Sequence, residues 1–163
     1  MRAVHEQEFV TFFDDASPRL LSAAWLLTGE QQGAEDLVQE ALARTYARWG
    51  KVRGGNPLAF ARRVMVNLHT DRWRKHRREL LTDDVPEPTV GDLRTSHHLD
   101  LVRALRRLSP RERECVVLRH YLDLSERQTA EALGISVGSV KSYTMHGVRG
   151  LRAQLLEGEQ THV

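Results

Sequence analysis

The sequence predicts an all-α protein of two small helical domains joined by a flexible linker, and three observations carry that expectation. Apolar residues recur at spacings of three and four along most of the chain, with almost no alternation of apolar and polar residues. Ser17-Pro18 and Ser109-Pro110 each have the form of an N-cap followed by proline at the first helical position. Periodicity then stops from Thr82 to about His97, where Asp83, Asp84, Pro86, Glu87, Pro88, Gly91 and Asp92 have the composition of an exposed tether. The expected organisation is a first domain over 1–81, a linker over 82–97, a second domain over 98–157 and a tail over 158–163. Fully extended, such a linker would reach roughly 50 Å.

In the first domain, Phe9, Phe12 and Phe13 make a short apolar face, and Ser17-Pro18 opens a segment through Leu20, Ala24 and Leu27 that Thr28-Gly29 ends. A second helix runs from about Ala34 to Trp49, with Leu37, Val38, Ala41, Leu42, Tyr46 and Trp49 on one side and Asp36, Gln39, Glu40 and Arg44 on the other. Lys51 to Asn56 is a loop by its glycines, and Pro57 starts a helix with no breaker until about Leu81. That helix is apolar early (Leu58, Ala61, Val64, Met65, Leu68) and basic late (Arg72, Arg74, Lys75, Arg77, Arg78), so its second half lies outside the core. The second domain begins near Leu99 with Leu101, Leu105 and Leu108 and restarts at Ser109-Pro110. Ser125 caps a helix through Leu133, Gly134-Ile135-Ser136 makes a tight turn, and a last helix follows from Val137 to about Leu156.

Charge is distributed unevenly. Residues 1–40 hold eight acids against Arg2 and Arg19, a net of −6, which leaves +8 for the remainder of a chain whose formal total is +2. An acidic front and a basic body suit two different partners, one of them polyanionic. The lone Cys115 excludes an intramolecular disulfide and a cysteine-rich zinc site and fits a reducing cytoplasm. No apolar run approaches the ~18 residues of a membrane span, and the first residues lack the pattern of an export signal, so a cytoplasmic protein is expected.

Ser125 to Lys141 meets the physical demands of a DNA-reading helix pair. Ala130 is small where two helices cross, Gly134 supplies the turn, and Leu133, Ile135 and Val140 are apolar where the angle is set. Along the last helix Val140, Thr144, Val148, Leu151 and Leu155 line one face, leaving Gly138, Lys141, Ser142, Met145, His146, Arg149 and Arg152 on the others. No acid stands between Glu131 and Glu157, so this surface meets phosphate without like charge. The plainer alternative is an ordinary helical hairpin with solvated charges; turn, core and outward face together favour the DNA reader.

Trp49, Phe60 and Trp73 lie around the glycine-bearing loop and the basic helix, where rings stack on unpaired bases and cations hold phosphates. Core packing is the better reading for Trp49 alone. Between Pro57 and Glu79 there are seven Lys or Arg and two acids, and Asn67 follows Arg63 by four residues and precedes Arg74 by seven, placing an amide between cations on one stripe. Nucleic acid is favoured over a solvated face for that helix as a whole.

The order of these parts resembles the extracytoplasmic-function RNA polymerase sigma factors, in particular the small actinobacterial SigE type, over roughly residues 6–80 and 99–154. Asp36-Leu37-Val38-Gln39-Glu40-Ala41 resembles the motif of conserved region two that docks on the clamp coiled coil of the polymerase largest subunit. The resemblance implies that Asp36, Leu37, Gln39 and Glu40 bind core polymerase. It implies minus-ten promoter contacts for Phe60, Arg63, Asn67, Arg74, Lys75, Arg77 and Arg78, with Lys51 to Asn56 and Phe60 near a base flipped from the nontemplate strand. Leu-Ser-Pro-Arg-Glu-Arg from Leu108 is similar to the start of conserved region four, and Val137 to Ser142 to its recognition helix. That similarity implies minus-thirty-five contacts for Arg119, Gly138, Ser139, Lys141, Ser142, Met145, His146 and Arg149. Tyr143 and His146 stand where arginine is frequent, which weakens the expected phosphate grip. The implied partners are core RNA polymerase, through clamp and flap, promoter DNA, and an anti-sigma factor.

No catalytic residue, metal or cofactor is expected. His97-His98 has no ligand partners at metal spacing, Cys115 sits among apolar residues as packing, and the acidic pairs lack a pocket signal. The same Leu-Ser-Pro-Arg-Glu-Arg segment with a helix-turn-helix occurs in response-regulator output domains, but residues 1–98 show no strands for a receiver domain. The competing function is a stand-alone repressor or activator that reads DNA with the second domain and dimerises through the first.

Overall fold

The structure, a computed structural model, describes residues 2–79 and 96–160, with side chains for 2–75 and 98–157. It forms two compact units, Met1–Pro88 and Thr89–Val163, and every regular element among the described residues is helical. The expected linker lies outside the described residues except at Ser96 and His97, which are helical.

In the first unit, α1 (Arg2–Thr28) is one continuous helix with Pro18 inside it, which corrects the expected break at Ser17-Pro18. Proline there removes a ladder hydrogen bond and crowds the preceding turn, but packing on both sides holds the helix together. Upstream, Phe9 and Phe12 pack on Trp49 at ring-centroid distances of 5.2 and 5.3 Å; downstream, Leu20, Ala23, Ala24 and Leu27 are buried. The Ser17 hydroxyl donates back to the Phe13 carbonyl at 2.6 Å instead of capping, and Pro18 faces solvent. Gly29, at φ 75°, ends the helix in the left-handed conformation that favours glycine.

Glu30 caps α2 (Gln31–Ala47), its carboxylate accepting from the Gly33 N–H at 3.1 Å. Helix α2 buries Ala34, Leu37, Val38, Ala41 and Leu42. Tyr46, expected on the same side, is 51% exposed, with its ring leaning on Phe9 at 4.8 Å. A short α3 (Trp49–Val52) takes in Lys51 and Val52, so the expected loop shrinks to Arg53 to Asn56. Asn56 then caps α4 (Pro57–Glu79) by accepting from the Ala59 N–H at 3.1 Å. Ala61, Met65, Val66 and Leu68 of α4 are buried, and α1, α2 and α4 pack pairwise.

The second unit starts at α5 (Ser96–Arg106), three residues before the expected Leu99. Val102 and Leu105 fill its core, with Leu101 only half-buried. Ser109 and Glu112 form a reciprocal capping box at the start of α6 (Pro110–Val116). A π-helical turn, Val117–Tyr121, follows directly, and Leu122 donates to the Val117 carbonyl at 3.0 Å. Nothing in the periodicity announced it. Ser125 and Gln128 make a second capping box on α7 (Glu126–Leu133), and Gly134, at φ 67°, turns the chain as expected. Ser136 accepts from the Ser139 N–H at 3.0 Å at the start of α8 (Val137–Gln160).

Helix α8 crosses α6 through its glycines. A Cβ on Gly147 would lie 2.5 Å from Val116 Cγ2 and 3.2 Å from the Glu112 carbonyl oxygen, whereas one on Gly150 would meet only Leu108 Cδ2, at 2.8 Å. The apolar stripe expected on α8 runs through Val140 to Leu151 and stops there. Leu155 is 54% exposed, because the last turns of α8 run past the core that α5 and α6 provide.

Gly147→Ala is expected to cost the second unit about 1–3 kcal/mol, the usual penalty for overpacking where backbone is one of the obstacles. Gly150→Ala is expected to cost less, since the Leu108 methyl can rotate away; urea unfolding followed by circular dichroism checks both. Cys115 is fully buried and burial pushes its thiol up to about 11. An aromatic disulfide reagent at pH 8 is therefore expected to leave the native protein unlabelled and to label it in urea; fast labelling of the native protein contradicts the placement.

Candidate nucleic-acid interface

Three surfaces carry the residues singled out in the sequence. On the outer face of α2, Asp36 and Gln39 are exposed, and Gln32 donates to Asp36 at 3.0 Å. Leu37 is 1% exposed, so it holds α2 against the core and offers no side-chain surface to a partner. This corrects its inclusion in a docking surface: on a helix, a residue next to an outward acid in sequence turns to a different face. Glu40 is half-exposed and already engaged, accepting from Arg44 at 3.0 Å and from Arg72 of α4. It therefore ties α2 to α4 as well as lying on the outer face.

On α4, Arg63, Asn67, Arg74 and Lys75 are exposed. Phe60 is half-buried, and spacings of three, four and seven bring Phe60, Arg63, Asn67 and Arg74 to one side of the helix. Arg72 is turned toward Glu40 and so belongs to a different side. Arg77 and Arg78 lie in α4, but their side chains fall outside the described residues. Trp49 is 7% exposed and packed edge-on against Phe9, a core residue and not a base platform. Trp73 is half-buried. The short turn before α4 is latched to α1: Arg53 donates two hydrogen bonds to the Glu8 carboxylate, at 2.8 and 2.7 Å, and holds that carboxyl below its ordinary range.

The third surface is built by the π turn, α7 and α8. Lys141, Ser142, Met145, His146 and Arg149 of α8 are exposed, and Gly138 leaves its first turn bare. Ser139 is half-buried and its hydroxyl accepts from Ser136 at 2.9 Å, so it serves the start of the helix. Arg119 comes from the π turn, where its guanidinium donates to the Leu124 carbonyl. Together with His120, Glu126, Thr144, Met145, Val148, Arg149 and Arg152, Arg119 and Lys141 line an open cleft of about 390 Å3. Four arginines or lysines against one carboxylate make the cleft cationic.

Glu126 was absent from the sequence-based list. It stands 3.7 Å from Lys141 Nζ and 3.9 Å from Arg119 Nη2, so an acid does enter the cationic face, from the helix before the reading helix. Its only sequence signal is its place beside the Ser125 cap, where an acid near a helix N-terminus has an ordinary electrostatic explanation. Among the described residues, no three His, Cys, Asp or Glu side chains converge as a metal site. No described helix is long and apolar enough to cross a membrane.

Known families match both units. Residues 12–79 match Sigma-70 region 2, and residues 98–151 match Sigma-70, region 4. The chain is 39% identical to an RNA polymerase sigma-E factor of Streptomyces coelicolor, over 92% of this chain and 85% of that one. It is 42% identical to the RNA polymerase sigma-E factor of Streptomyces antibioticus, over 75% of this chain and 70% of the relative. Among solved structures, the sigma factor RpoE of Bartonella quintana, in complex with the anti-sigma factor NepR, is similar with a TM-score of 0.67 and 25% identity, covering 91% of this chain and 97% of that one. The extracytoplasmic function sigma factor SigJ of Mycobacterium tuberculosis gives a TM-score of 0.61 at 28% identity, over 87% of this chain and 52% of that one. With a region 2 unit carrying a cationic α4, a region 4 unit carrying a helix-turn-helix, and relatives of this identity along most of its length, the chain belongs to the extracytoplasmic-function RNA polymerase sigma factors of the SigE type.

Proposed function

We propose that this sigma factor divides promoter recognition between its two units while α2 of the first unit engages core polymerase. The observation that carries the reading is the pair of exposed cationic helical faces, one on each unit: Arg63, Asn67, Arg74 and Lys75 on α4, and Lys141, Ser142, Met145, His146 and Arg149 on α8. Helix α8 enters the major groove at the minus-thirty-five element, with Gly138 giving the backbone close approach and Arg119 reaching in from the side. The α4 stripe captures minus-ten bases as they come out of the duplex, Phe60 and Asn67 meeting the bases while the cations hold phosphates. One unit holding intact duplex raises the local concentration of exposed bases for the other.

Asp36 and Gln39 form the polymerase-facing surface, supported from beneath by Leu37 and, through Arg72, by Glu40. The polymerase supplies the chemistry; the factor supplies position. It works in the cytoplasm, where polymerase and DNA are. An anti-sigma factor is the natural antagonist, a reading supported by the Bartonella quintana relative having been solved with one. Run-off transcription over genomic fragments tests the whole: protein plus core polymerase starts at defined promoters, whereas sequence-specific duplex binding by a dimer without polymerase marks the stand-alone repressor.

Two mutational outcomes follow. Asp36→Arg is expected to weaken core-polymerase binding at least about tenfold, the effect of one lost charge-assisted contact of about 1.5–3 kcal/mol, with an unchanged melting temperature; intact binding removes the docking surface. Lys141→Ala is expected to narrow the affinity gap between promoter and mutated promoter, by about 1–3 kcal/mol if it reads a base. Arg74→Ala is expected instead to weaken all sequences alike and to shallow the salt slope by about one unit. Identical behaviour of the two variants in gel-shift titrations contradicts the division into reader and gripper.

A further inference from the structure

We propose that Glu126 is a specificity-determining residue of the second unit, an internal acceptor that occupies Arg119 and Lys141 until a promoter offers them a better one. The inference rests on the reading of the α8 face as duplex-binding.

Glu126 sits at the first position of α7, yet its two carboxylate oxygens divide between two other elements. Oε2 lies 3.7 Å from Lys141 Nζ on α8, and Oε1 lies 3.9 Å from Arg119 Nη2 on the π turn. Those distances are ion pairs without hydrogen bonds, so an acceptor at hydrogen-bonding distance displaces the carboxylate readily. Arg119 is held in place independently, by the Leu124 carbonyl, so it stays aimed at the cleft when the pair opens. All three groups line the same cleft as Met145 and Arg149, and Glu126 is the one acid among its lining residues.

The consequence for DNA follows from counterions. A cation that already has a protein carboxylate nearby releases less from the counterion atmosphere of a phosphate backbone, so it contributes less to non-specific binding. A fixed carboxylate at the mouth of the reading surface also repels phosphate and the acceptor edge of guanine, and accepts only from an exocyclic amino group of cytosine or adenine. On arbitrary sequence Glu126 therefore lowers affinity. At the matching sequence, aligned base acceptors take over Lys141 and Arg119, or an amino group comes to the carboxylate, and the penalty disappears.

The test uses full-length protein bound to core polymerase, titrated with promoter duplex and with a scrambled duplex of equal length at several salt concentrations. Glu126→Gln is expected to tighten scrambled binding about fivefold, to leave promoter binding within about twofold, and to steepen the salt slope on scrambled DNA by about one unit. Glu126→Asp, which keeps the charge, is expected to keep the wild-type selectivity. An unchanged ratio and slope in Glu126→Gln overturns the role of Glu126 and leaves the duplex-binding reading standing. An equal loss of selectivity in both variants assigns the effect to the α7 cap and overturns the role too. A wild-type complex that does not distinguish the two duplexes overturns both the role and the reading beneath it.

Discussion

The second unit depends on one constraint: α8 has to be core on one side and bare on the other, and a single helix achieves both only if its buried side sits very close to α6. Gly147 permits that approach, with Val116 and the Glu112 backbone filling the space a side chain would take. Val140 and Leu151 are buried on either side of the crossing, so Lys141, Ser142, Met145, His146 and Arg149 are turned outward without any interaction of their own to hold them there. The rotational setting of the reading face is thus decided by packing on its opposite face. Capping adds to this at the turn, where Gly134 stops α7 and Ser136 starts α8 within three residues.

The first unit solves the same problem with ions and aromatics. Met65, Val66 and Leu68 bury one side of α4, while Arg72 reaches Glu40 across to α2 and commits a second side to the neighbouring helix. The side carrying Arg63, Asn67 and Arg74 remains for ligand. The aromatic cluster of Phe9, Phe12, Tyr46 and Trp49 anchors α1 over the same corner. This is why α1 continues through Pro18: one lost ladder bond is a smaller term than the burial it would take to reposition two rings and an apolar helix end.

How much of this was legible in the sequence depends on the range of the forces involved. Capping boxes, the Gly134 turn, the start of α4 at Pro57 and the exposure of the α8 face are written in residues a few positions apart, and they stand in the structure where the sequence put them. Longer-range features were not legible. The unbroken α1 is decided by rings contributed from α2 and α3, the inward turn of Leu37 by a helical face one residue away from Asp36, and the close crossing at Gly147 by a partner helix some thirty residues earlier. Glu126 escaped notice because acids were sought along the reading helix, whereas the charge arrives from the helix before it. The docking and base-contact roles rest on family likeness as well as geometry, since exposure and charge alone do not distinguish a polymerase surface from a solvated one.

The π turn at Val117–Tyr121 is, in effect, one extra residue threaded into a helix. It hands the chain on to Asp123, the one described non-glycine residue with positive φ, and delivers Arg119 to the cleft beside α8. Insertion-deletion changes here are therefore not neutral edits to a surface connection. Removing a single residue would restore ordinary helical register, rotate everything downstream by about a quarter-turn or more, and separate Arg119 from the reading helix while leaving every residue of that helix in place.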